Sequence, residues 1–70
     1  MTQILAQAIV DQIRGGPVPL YEVRVWGGNP AIANDAHVRT YQIERTTDNL
    51  AAREGIRQFV EEIEALSEWM

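Results

Sequence analysis

The stretch from Thr47 to Trp69 constrains the fold more than any other part of the sequence. Its apolar residues recur at spacings of 4, 3, 1, 3 and 3, namely Ala52, Ile56, Phe59, Val60, Ile63 and Leu66. This one-sided stripe is typical of an amphipathic helix, which we place at about residues 48–68. Such a helix buries its stripe against another layer, so the preceding residues must supply that layer.

The start and the middle of this helix carry distinct signals. Thr46, Thr47 and Asp48 are candidate N-caps, because their side-chain oxygens can accept the free amides of the first turn. Gly55 lies in mid-helix, where glycine costs about 1 kcal/mol relative to alanine. It therefore predicts the close approach of another backbone, either the preceding strands or a second subunit.

The first segment of the chain, at about residues 3–14, fits a short helix. Its side toward the core would carry Leu5, Ala8, Ile9, Gln12 and Ile13. Gly15 and Gly16 would close this helix in the left-handed conformation, and Pro17 would prevent it from continuing.

Two alternating segments, at about residues 19–26 and 37–45, predict strands of an antiparallel hairpin. Placing Trp26 opposite Val38 gives matching faces along the whole pairing. The later pairs are then Arg24 with Thr40, Val23 with Tyr41, Glu22 with Gln42 and Tyr21 with Ile43.

The connection between these strands, residues 27–36, is long for a hairpin and is the first place to look for a binding site. Gly27 and Gly28 do not precede a helix as a phosphate-binding loop requires, so we interpret them as part of a flexible connection. Asp35 and His37 could share a metal or form an acid–base couple. The sequence favours a turn residue and a surface imidazole.

These elements predict an α+β fold of order αββα, a single domain over residues 1–70 in which two helices pack on a two-stranded antiparallel hairpin. Such a hairpin has two free edges and is marginal alone, and no cysteine is present to reinforce it. We therefore predict a homodimer that completes a four-stranded sheet. The candidate interface residues are Leu20, Trp26, Val38, Gly55 and Trp69.

Charge bears on the choice of partner. The net charge of −4 disfavours nucleic acid, whose affinity comes from clustered cations. Weak RNA binding remains an alternative function, with Arg24, Arg39 and Arg45 contacting phosphates while Trp26 and Tyr41 stack on bases.

Glutamates crowd the end of the C-terminal helix, where the helix dipole favours cations. They are Glu61, Glu62, Glu64 and Glu68. A solvated acidic face explains them, and the functional interpretation is a docking patch for a basic protein surface. On that interpretation, charge reversal at Glu61 and Glu64 should weaken the complex.

Catalytic groups are scarce in this sequence. His37 is the one histidine, cysteine is absent, and the single serine, Ser67, lies among glutamates. No catalytic triad or multi-histidine metal site can be assembled, so we predict a non-enzymatic interaction module without cofactor or metal. The competing class is an enzyme or ligand-binding protein with a site at residues 27–37, in a cleft lined by Asp35, His37 and Tyr41.

The sequence also predicts a compartment. No basic residue precedes the first apolar run, and no apolar run approaches the roughly 20 residues needed to cross a bilayer. These features predict a cytoplasmic protein without a membrane contact.

Overall fold

Residues 4–67 form a three-stranded sheet that is covered on one face by one helix. In the computed structural model, which describes residues 4–67, the elements are β1 (Leu5–Arg14), β2 (Leu20–Gly28), β3 (His37–Glu44) and α1 (Asp48–Ser67). The strands are antiparallel and lie in the order β1-β2-β3. The predicted αββα unit, with two helices on a two-stranded hairpin, is therefore wrong.

The error lies in the first segment, which is a strand rather than a helix. Its apolar residues fit both periods, because many neighbouring positions are apolar. Packing decides between the two: Val23 and Val25 on β2 are fully buried, and β1 places Val10 and Ala8 opposite them. As a strand, β1 also supplies partners for the backbone groups along the second edge of β2.

The glycines that were predicted to end the first helix have a different role. Gly15 and Gly16 lie in the connection between β1 and β2, and Gly16 has a φ of 146°. Glycine accepts this backbone conformation readily, whereas residues with side chains rarely adopt it.

The pairing of β2 with β3 matches the register predicted from the sequence. Trp26 lies opposite Val38, and the series continues to Tyr21 opposite Ile43. Because the register places Tyr21, Val23 and Ile43 on the same face, these residues form a continuous apolar surface on which the helix packs.

Thr47 is the residue that caps α1. Its Oγ1 accepts a hydrogen bond from the Leu50 amide at 3.3 Å, and its carbonyl accepts one from Ala51 at 3.1 Å. Ala51, Phe59 and Ile63 on the inner side of the helix are fully buried against the sheet.

Gly55 lets the helix approach the sheet closely. A Cβ atom at this position would lie 2.6 Å from Cγ1 of Val23 and 3.4 Å from Cδ1 of Ile43. Of the two roles predicted for Gly55, the close contact in the structure is with the chain's own strands, and Gly55 is buried there.

The four-stranded dimer sheet predicted from the sequence does not fit this fold. It joined two hairpins of two strands each, whereas the sheet of one copy already has three strands, with the strand of Leu20 and Trp26 at its centre. Within residues 4–67, the edges left without a neighbouring strand are the outer sides of β1 and β3.

Candidate functional site on the open sheet face

The sheet face opposite the helix carries no covering layer among residues 4–67. We call it the open face. By strand alternation and register it consists of Leu5, Gln7, Ile9, Asp11, Ile13, Leu20, Glu22, Arg24, Trp26, Val38, Thr40, Gln42 and Glu44. Its large aliphatic side chains are strongly exposed, with fractions of 56% for Leu5, 54% for Ile9 and 59% for Val38. Such a set of exposed apolar side chains marks a contact surface.

The open face is divided into an apolar end and an acidic end. Leu5, Ile9, Trp26 and Val38 lie toward the end of β1 where the chain enters the sheet. The acidic end carries three carboxylates. Asp11 lies directly opposite Glu22 in the register, and Glu44 lies on β3 opposite Leu20. An apolar partner would therefore contact the apolar end, because the strand residues paired there include no carboxylate.

The loop after β2 is folded by local hydrogen bonds. Asn29 Oδ1 accepts a hydrogen bond from the Ala31 amide at 2.9 Å, and the Asn29 carbonyl accepts one from Ile32 at 3.1 Å. Asn34 follows in the left-handed region with a φ of 63°, which asparagine tolerates better than most residues. These turns bring Pro30 and Ile32 next to the apolar end of the open face.

Asp35 ties the loop to the start of β3. Its Oδ2 accepts a hydrogen bond from the Asn29 amide at 2.8 Å, and its Oδ1 lies 2.7 Å from His37 Nε2. The hydrogen bond from Asn29, and then the contact with His37, lower the pKa of Asp35 from its ordinary value. The carboxylate therefore stays ionised and acts as a hydrogen-bond acceptor.

The two glycines before the loop serve close packing. A Cβ atom on Gly28 would lie 1.6 Å from the Asp35 carbonyl oxygen, and one on Gly27 would lie 1.9 Å from the Leu5 carbonyl oxygen. The loop can pass over Gly28, and β1 can pair beside Gly27, because both positions lack a side chain.

A shallow groove of about 510 Å³ runs between the loop and the apolar end of the open face. Its apolar wall consists of Leu5, Trp26, Pro30, Ile32 and Val38. Asp35 and His37, which the sequence named as a couple only in the competing interpretation, also line this groove and contact one another.

Tyr41, the third residue predicted for a cleft at the loop, lies elsewhere. It is on the helix-covered face, where its hydroxyl oxygen is buried without a hydrogen-bond partner among the described residues. This burial, together with the nearby Glu62 carboxylate, raises the pKa of Tyr41 to about 12. The phenol therefore remains neutral at ordinary pH, and the three predicted residues do not form one site.

The residues predicted to contact RNA are divided between the two faces of the sheet. Arg24 and Trp26 are on the open face, whereas Arg39 and Tyr41 are on the face that carries the helix. Arg39 and Arg45 also have partners within the chain, at 3.4 Å from Glu62 and 3.5 Å from Glu54 respectively. The structure therefore does not bring these residues together on one surface.

The acidic helix has arginine partners of its own. Arg57 donates to Glu54 and to Glu61, with 2.8 Å between Nη1 and Glu61 Oε1. The hydrogen bonds from Arg57 are the main reason that the pKa of Glu54 falls to about 2. With Glu62 paired to Arg39, two residues of the predicted docking patch have cationic neighbours.

The rest of that patch is only partly described. Glu64 is exposed on α1, while Glu68 and the interface candidate Trp69 lie outside the described residues. Docking of a basic protein surface on this side of the helix stays a prediction.

Two further findings concern the described residues. Between residues 4 and 67, no group of three or more histidine, cysteine, aspartate or glutamate side chains is placed to hold a metal ion. In the same range, no helix has both the length and the apolar character required to cross a membrane.

The sequence interpretation missed Leu5 and Ile9 as surface residues, because it placed them on the buried side of a helix. Only once this segment is placed as a strand does alternation put Leu5, Ile9 and Ile13 on one side and Ala6, Ala8 and Val10 on the other. Leu20, Trp26 and Val38, which were predicted to face outward, are on the open face.

Comparison with known proteins gives no family for this chain. No protein-family model matches it, and neither the curated proteins nor the solved structures yield a match. The site is therefore interpreted from its geometry alone.

Proposed function

We propose that this protein is a non-enzymatic interaction module whose partner is a second copy of itself, joined through β1. One observation carries the proposal: the strand at a free edge of the sheet is also the strand with the most exposed aliphatic side chains. Leu5, Ile9 and Ile13 on β1 have exposed fractions of 56%, 54% and 45%. The cytoplasm, predicted from the sequence, remains part of this proposal.

The expected strength follows from the contacts that pairing at a sheet edge can make. Because the open face stays in contact with solvent, each pair of apolar side chains across the joined strands contributes only about 0.2–1 kcal/mol. Backbone hydrogen bonds between the strands add about 1 kcal/mol each. Since association itself costs about 4–15 kcal/mol, we expect a weak dimer, with a dissociation constant between about 1 µM and about 1 mM.

The distribution of charge also favours contact at this strand. Each copy carries a net charge of −4, so two copies repel one another at most orientations. The segment Leu5–Val10 contains no charged residue, which makes it the part of the strand where two copies meet with least repulsion. Added salt should therefore strengthen the association by screening the remaining charges.

The test is the solution mass, measured by sedimentation over a concentration series from about 1 µM to about 1 mM. We expect the mass to rise from one copy to two. Ile9→Lys should hold the protein as a monomer, because it places a charge in the centre of the contact. Thr40→Lys, on the same face of the other edge strand, is the matched control and should leave the association unchanged.

Circular dichroism must show that both variants are folded. A wild-type protein that remains a single copy at about 1 mM would contradict the proposal. Equal weakening by Ile9→Lys and Thr40→Lys would contradict the assignment to β1.

A further inference from the structure

We infer that two copies pair their β1 strands antiparallel about a two-fold axis at Ile9, which joins the two sheets into one continuous six-stranded sheet. This inference rests on the proposed function and specifies how the two copies are joined. Because the axis is normal to the sheet, both helices lie on the same face and both open faces lie on the other.

The two edge strands differ in how far their side chains block the addition of another strand. This difference favours β1 over β3 as the strand that pairs. On β3, the Arg39 side chain donates to the Val38 carbonyl at 2.9 Å, and just beyond the strand Arg45 donates to the Glu44 carbonyl at 2.9 Å. These bulky cations occupy carbonyl groups that an added strand would need. Charged side chains of this kind are a usual means of blocking an edge.

The outer side of β1 has no such protection among residues 4–67. The segment Leu5–Val10 contains no charged residue, proline or glycine, and no described side chain hydrogen-bonds to its backbone. An uncharged free edge of this length is a template for pairing with another strand. The pairing of β1 with β2 has one irregularity, at Ile13, which has no partner on β2 between Gln12 and Arg14.

The sequence of β1 is self-complementary in one register. With Ile9 beside Ile9 of the second copy, Leu5 of one copy lies beside Ile13 of the other on the open face. Gln7 then lies beside Asp11, whose carboxylate can accept a hydrogen bond from the Gln7 amide. On the helix-covered face, Ala8 lies beside Val10. Ala6 lies beside Gln12 on the same face, and in the other pairs apolar side chains meet apolar ones and polar side chains meet polar ones.

Neighbouring symmetric registers lose this match. An axis at Ala8 would place Leu5 beside Asp11 and Gln7 beside Ile9. An axis at Val10 would place Ile9 beside Asp11. A one-residue slip between these would set open-face residues beside helix-face residues and reverse one sheet relative to the other. The axis at Ile9 is therefore the register that the side chains support.

The experiment uses disulfide formation, since the natural chain contains no cysteine. In the proposed register Ile9 faces its own counterpart with about 4.5–5.5 Å between Cα atoms, which suits a disulfide. Ile9→Cys should therefore oxidise to a covalent dimer. Gln7→Cys is the matched control on the same face of β1, because its counterpart lies four residues away, at about 13 Å, and cannot be bridged.

A second pair of variants keeps the test independent of the side chain at the axis. Gln7→Cys mixed with Asp11→Cys should give a disulfide-linked dimer of the two variants. Gln7→Cys alone should give at least about tenfold less disulfide-linked dimer. Equal cross-linking of Ile9→Cys and Gln7→Cys would overturn the register. A wild-type dimer in which neither Ile9→Cys nor the mixture cross-links would overturn the inference and leave the proposed function standing. A wild-type monomer would overturn both.

Discussion

Gly27→Ala is expected to destabilise the fold by about 3 kcal/mol or more, through two separate effects. Gly27 has a φ of 157°, which residues with a side chain rarely adopt, and such strain costs about 1–3 kcal/mol. The new Cβ would also lie 1.9 Å from the Leu5 carbonyl oxygen and 2.8 Å from the Ala6 Cα. These are backbone atoms of β1, so they cannot move aside without breaking the pairing of β1 with β2.

The measurement is chemical unfolding at low protein concentration, where association contributes least. Gly15→Ala is the matched control, because a Cβ atom on Gly15 would meet nothing within 4 Å and the residue sits in the exposed connection between β1 and β2. We expect this control to change the free energy of unfolding by less than about 0.5 kcal/mol. Equal stability of the two variants would contradict the placement of β1 beside Gly27.

Phe59→Ala is expected to remove a large part of the stability of the fold. Phe59 is fully buried, and with Ile63, Val23 and Val25 it is among the largest fully buried side chains of the described residues. Removing such a ring costs about 3–5 kcal/mol, whereas a domain of this length has a total stability of only about 4–10 kcal/mol. The loss should lower the midpoint of the thermal transition, followed by circular dichroism, by more than about 10 °C.

Leu66→Ala provides the control for this second substitution. Leu66 belongs to the apolar stripe that the sequence predicts, yet 48% of it is exposed in the structure. Its truncation should therefore change stability by only about 0.5 kcal/mol. If Phe59→Ala unfolded with a midpoint temperature close to that of the wild-type protein, α1 would not pack on the sheet through this ring.

The final helix and the β2–β3 pairing could be predicted because each has a single strong pattern. The stripe that includes Phe59 and Ile63 fits only a helical period. The pairing of Trp26 with Val38 matches faces along both strands, as a shift by two residues also would. Local sequence was sufficient for these elements, since their faces are distinguished by their own residues.

The first strand could not be predicted from its own residues. Six of the residues from Ile4 to Val10 are apolar, so both a helical and an alternating interpretation place apolar groups inside. The decision comes from β2, whose buried Val23 and Val25 need neighbours on both sides. That requirement depends on the tertiary arrangement, which a local pattern does not contain.

The candidate site could be predicted only in part, because some of its features depend on the position of β1. The outward direction of Trp26 and Val38 follows from alternation, and the spacing of Asp35 and His37 allowed their contact. The path of the loop over Gly28 and the exposure of Ile9 depend on β1, so they could not be predicted before that strand was placed.

Hydrogen exchange at the backbone amides of β1, measured from about 1 µM to about 1 mM protein, tests the central claim most directly. The amides that point away from β2 have no partner strand in one copy and gain one when two β1 strands pair. We predict that alternate amides between Leu5 and Ile13 become slower to exchange as concentration rises, while those of β3 do not change. Exchange in β1 that is independent of concentration, or slowing confined to β3, would contradict the account.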